Sequence, residues 1–155
     1  MNRRTLLALA ALVPSAARAQ TAAQPELPKE KLAIMTRDGA RHEFTVEMAL
    51  SEPQQTVGLM FRRSVPADGG MLFDWGTPRD STMWMRNTVS PLDMLFINAD
   101  GSIRRIAEDT VPESLAMIES RGPVRATLEL AAGTAKRLGI RVGDKVQQRI
   151  FGAGP

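Results

Sequence analysis

Three apolar runs, GMLFDW at residues 70–75, STMWMRNT at 81–88 and LDMLFIN at 92–98, follow one another with Gly, Pro, Asp and Asn around them. Short apolar runs bounded by turn-forming residues are central β-strands, and they oblige the rest of the chain to build a sheet around them. Residues 31–36 and 41–48 alternate as strands do, and Asp38 and Gly39 between them form a hairpin turn. Within the second of these, Phe44, Val46 and Met48 share a face. Asp100 and Gly101 turn the chain into a further strand at 102–107, and segments 124–131 and 141–150 complete the set. Helix is scarce. Ser51, Glu52 and Pro53 supply a cap, a first-turn acid and a tolerated proline, which predicts a helix over 51–61 burying Val57, Met60 and Phe61. One more helical turn is expected at 134–138, before Gly139. The expected fold is mainly β: a compact β-sandwich, jelly roll or small barrel with one or two short helices, and no internal repeat.

Ahead of this lies MNRRTLLALAALVPSAARA, with a charged start at Arg3 and Arg4, an apolar stretch over 6–13 and a small-x-small ending at Ala17–Arg18–Ala19. This order is that of a cleaved export signal over residues 1–19. Its paired arginines suit either the general secretory route or the twin-arginine route. The apolar stretch is too short to span a bilayer, and the protein is expected to be soluble and periplasmic or secreted. Residues 20–28, QTAAQPELP, are expected as a flexible leader, and residues 29–155 as a single domain. The signal also carries three of the 20 basic residues, so the remainder balance the 17 acids. With no basic surplus and no Tyr, nucleic acid is not an expected partner. The chain has no Cys, which excludes disulfides, thiolate catalysis and Cys-ligated metals.

Six ordered blocks carry a resemblance: GLMFR (58–62), GGMLF (69–73), WMRNT (84–88), PLDMLFIN (91–98), TLELAAG (127–133) and IRVGDKV (140–146). In this order they resemble the family called domain of unknown function 192, over about residues 31–150. The resemblance implies a compact, mostly β domain, often exported in bacteria, with no established activity or agreed catalytic residues. Arg86 stands where many relatives have Lys, and Thr127 where Val is common.

Among residues that can carry chemistry, an extended 81–88 segment would place Trp84, Arg86 and Thr88 on one face. Trp84 beside Arg86 offers a flat apolar surface and a five-donor fork suited to a carboxylate or phosphate. The same alternation also fits a strand buried on both sides. Asp93 interrupts PLDMLFI on the face of Leu95 and Ile97, where an isolated charge needs a partner; Arg86 is the expected one, across a tight 87–91 connection. Asn87 and Thr88 can satisfy turn groups, and Arg62 can close a pocket or interact with the helix end. The candidate ligand site is therefore Arg62, Trp84, Arg86, Asn87, Thr88 and Asp93, suited to a small polar or anionic ligand, with no metal or cofactor expected. Two alternatives belong to other classes: an envelope hydrolase using Asp93, and a copper(I) carrier using Met83, Met85 and His42. The methionines also suit core packing, His42 reads as a surface residue, and Glu129 reads as solvent-facing or paired to an Arg.

Overall fold

The computed structural model describes residues 21–152; the proposed export signal lies outside the described residues. The elements run β1 (Lys29–Met35), β2 (Arg41–Ala49), α1 (Glu52–Val57), β3 (Gly69–Met83), β4 (Leu92–Ile97), β5 (Ile103–Ala107), β6 (Ile118–Ala131), α2 (Thr134–Leu138) and β7 (Lys145–Gln147), then a 3-10 turn at Arg149–Phe151. The seven strands form one sheet in the order β5-β4-β6-β3-β2-β1-β7. It curls into a half-barrel, whose outer strands β5 and β7 approach through a Ser102–Lys145 bridge and a Val146 N–H to Gly101 carbonyl bond of 2.8 Å. The mainly β expectation holds, in its barrel-like form.

Every pairing is antiparallel except β2 with β3. A parallel pair needs a crossover, and α1 with the loop after it provides that crossover. Curling gives the sheet two apolar faces. One holds Leu32, Phe44, Val46, Leu72, Leu95 and Leu128 and is closed by Ala135, Ile140 and Phe151. The other holds Met71, Phe73, Met85, Leu92, Met94 and Phe96 and is covered by Leu59 and Leu27.

Several sequence expectations change in detail. The first helix stops at Val57 and not at Phe61, because Gly58 takes φ 50 and Phe61 φ 62. Gly58 also lies where an added Cβ would sit 3.0 Å from the Phe73 ring, so glycine serves both the turn and the close approach. Residues 70–75 and 81–83 belong to one long strand, β3, while 84–88 is a turn. Gly76 and Pro78 are tolerated because the β3–β6 register breaks between Asp74 and Arg79, so the proline removes no ladder donor. The last strand shrinks to Lys145–Gln147. Before it, Asp144 folds residues 141–144 into a turn by accepting from the Arg141 N–H at 2.7 Å and the Arg37 N–H at 3.2 Å. The segment expected as a flexible leader is tied down: the Leu27 N–H donates to Glu47 at 2.8 Å, and the Gln24 side chain donates to the Gln54 and Gly58 carbonyls at 3.0 and 2.9 Å.

Candidate functional site

Between Asp74 and Arg79 β3 loses its register with β6 before pairing with it again as far as Met83, and a cleft of about 570 Å³ lies between this irregular stretch, α1 and the 84–88 turn. Gln55 fixes one wall by donating to the Ala49 carbonyl at 3.1 Å and the Asp74 carbonyl at 2.7 Å. Phe73 and Trp75 follow along β3 with ring centroids 5.8 Å apart, and the Trp75 indole N–H donates to Thr127 at 3.3 Å. The Arg79 guanidinium lies 4.5 Å from the Trp75 ring centroid. Trp84 forms the opposite lip, with Arg86 5.3 Å from its centroid. Met60, Met83 and Met117 also line it, a set of adaptable apolar side chains.

Glu129 reaches the same cleft from β6. It pairs with Met71 on β3 and Met94 on β4, so methionines flank it on both sides of the sheet face. Its side chain makes no hydrogen bond or ion pair among the described residues, and the residue is 4 % exposed. Burial therefore pushes its carboxyl up to about 8, and at neutral pH it is chiefly a neutral acid able to donate a hydrogen bond. The expectation that Glu129 faces solvent or pairs with an Arg is corrected: β6 lies between β4 and β3, and both of its faces are covered.

Asp93 is buried, as its place in an apolar strand implies, but its partner is not Arg86. One oxygen accepts from the Asp109 N–H at 2.9 Å and the Gly133 N–H at 3.2 Å, and the other from the Ala135 N–H at 2.9 Å. Backbone donors from two distant loops replace the expected guanidinium, and Asp93 lines none of the clefts described in this structure. An acid held in this way ties the 108–110 and 132–135 loops to β4, and at 0 % exposure it is out of a substrate's reach.

The other candidates separate. Trp84 and Thr88 line the cleft and Arg86 stacks beside Trp84, so these three come together. Asn87 takes φ 56 and its carbonyl accepts from the Phe61 N–H at 2.8 Å, joining the turn to the end of the crossover. Arg62 points to a different, smaller cavity of about 220 Å³, where it donates to Glu47 at 3.1 Å and to the Gln24 carbonyl at 3.2 Å. Of the copper(I) set, Met83 lines the cleft, Met85 is fully buried against Thr110, and His42 lies in the β1–β2 pair opposite Ile34. Trp75 and Arg79 are absent from the candidates read in the sequence and Glu129 is present there only as a solvent-facing or Arg-paired residue; all three line this cleft, Trp75 and Arg79 from either side of the register break in β3.

The family profile of DUF192, described as an uncharacterized ACR, matches residues 33–148. The chain belongs to this family. Two crystal structures resemble this DUF192 protein over most of its length. A protein from Sinorhizobium meliloti 1021, described as a candidate transcription regulator, is 50% identical, with a TM-score of 0.78 over 80% of this chain and 96% of that one. A protein of unknown function from Novosphingobium aromaticivorans DSM 12444 is 39% identical, with a TM-score of 0.76 over 83% of this chain and 93% of that one. No curated protein matches the chain.

Proposed function

We propose that this DUF192 protein is an exported binding or accessory module whose cleft takes a small molecule with a flat apolar body and one anionic or hydrogen-bond-accepting group. The observation that carries this reading is Glu129, a 4 % exposed residue whose carboxyl has no hydrogen bond or ion pair among the described residues, at the edge of an aromatic and methionine-lined cleft. Unsatisfied polar groups in apolar surroundings are costly, and a few convergent polar groups in an apolar cleft characterise ligand sites. A protonated Glu129 would donate to the ligand's acceptor, Arg79 would add its guanidinium donors, and Trp75 and Trp84 would receive the flat body. The 1–19 segment supports a periplasmic or secreted location.

Isothermal titration with 4-hydroxybenzoate and related ring carboxylates tests the reading. Saturable binding is expected, weakened about tenfold or more by Arg79→Ala and by Trp84→Ala. Absence of saturable heat across the series, or unchanged affinity in both variants, would overturn it.

A further inference from the structure

A second groove, of about 530 Å³, lies at the β5 edge and shares no lining residue with the first. It exists because β4 pairs with β6 only from Ala126 to Ala131, leaving the earlier part of β6 without a strand on that side. Two β5 side chains reach across in its place. Arg104 donates to the Arg121 carbonyl through Nε at 3.1 Å and Nη2 at 2.7 Å, and Arg105 donates to the Glu119 carbonyl at 2.6 Å. A guanidinium carries five N–H bonds, so both keep donors free. The Arg121 side chain makes no hydrogen bond, and none of the three arginines forms an ion pair among the described residues.

Two further observations concern this cluster. Arg121 takes φ 56, a conformation that favours Gly or Asn, and Gly122 follows at φ 129, where an added Cβ would run into the Arg104 guanidinium. The charges are also crowded: burial first, and then the field of Arg121, disfavour the charged form of Arg105, with Glu119 offsetting part of this. An anion in the groove would remove that repulsion.

We propose that Arg104, Arg105 and Arg121 form a binding site for a phosphate group, in which Arg121 supplies the uncommitted fork and Arg104 and Arg105 supply donors already positioned by the β6 carbonyls. Phosphate matches the fork geometry of guanidinium, and several such forks around one group raise affinity beyond a single surface contact.

The test is an amide NMR titration of the whole protein with inorganic phosphate and, separately, glycerol 3-phosphate, at ionic strength held constant with sodium chloride. Saturable shifts centred on residues 104–105 and 120–122 are expected. Arg121→Asn, which suits the positive φ, should leave the melting temperature unchanged and weaken binding about tenfold or more. Tighter binding of the ester identifies a phosphate monoester as the ligand, and tighter binding of inorganic phosphate identifies the free ion. No saturable shift up to about 20 mM of either, or equal affinity in Arg121→Asn, overturns the proposal.

Discussion

Replacing Glu129 by Gln should remove most of one pH dependence of stability and little else. The Glu129 carboxyl sits near 8 in the folded protein against an ordinary 4.5, because burial disfavours its charge. Below pH 4.5 both the folded and the unfolded states hold the proton, and the full stability is present. Between pH 4.5 and 8 the unfolded chain releases it while the folded protein keeps it, so stability falls by up to about 1.4 kcal/mol per pH unit. Above pH 8 both states are ionised and the loss levels off. Integrated from pH 5 to pH 8, the loss is about 3 to 4 kcal/mol, on the order of 10 °C in melting temperature for a domain of this size. Gln fills nearly the same volume and does not titrate. Urea denaturation of both proteins at intervals from pH 5 to pH 8 should therefore give curves that diverge by about 3 to 4 kcal/mol, with the wild type losing ground as pH rises. All other titrating groups are common to both and cancel. Parallel curves would refute the reasoning, because they would mean that Glu129 is ionised in the folded protein.

Three further outcomes follow from the packing. Asp93→Asn turns an amide NH₂ or a single weaker acceptor toward three backbone donors, and should cost about 3 kcal/mol in urea denaturation while leaving cleft affinity intact. Arg62→Ala leaves Glu47, whose side chain is 8% exposed, without its cation; it should lower stability by about 2 kcal/mol and increase proteolysis within residues 21–28. Gly70→Ala drives a Cβ into the Glu129 carbonyl and to 2.8 Å from Leu130 Cδ2, and should destabilise the β3–β6 pair by about 3 kcal/mol, measured by thermal melting.

How far the fold could be read in advance depended on whether local residues carried the information. The Asp38–Gly39 hairpin, the strands around it and the Thr134–Leu138 helix follow from turn residues and periodicity, and the structure has them. The long β3 was illegible because Gly76 and Pro78 look like breakers; only the interrupted register shows why they are tolerated. Asp93 was recognisable as a buried acid, yet its donors are main-chain N–H groups 16, 40 and 42 residues away, which no side-chain identity announces. Glu129 was misread because alternation with Leu128 and Leu130 suggests a strand with one wet face. Its surroundings held the missing signal: 70–73 and 92–97 are apolar on both faces, so a strand lying between them must be covered on both.

The chain has two tryptophans and both line the cleft, so its intrinsic fluorescence reports on that site alone. The most direct measurement is a fluorescence titration with 4-hydroxybenzoate at pH 6 and at pH 9. With Glu129 near 8, about one molecule in eleven holds the proton at pH 9, so a saturable change at pH 6 should require about ten times more ligand at pH 9. A saturable change with the same affinity at both pH values, or none at either, would contradict a ligand cleft read by the Glu129 proton.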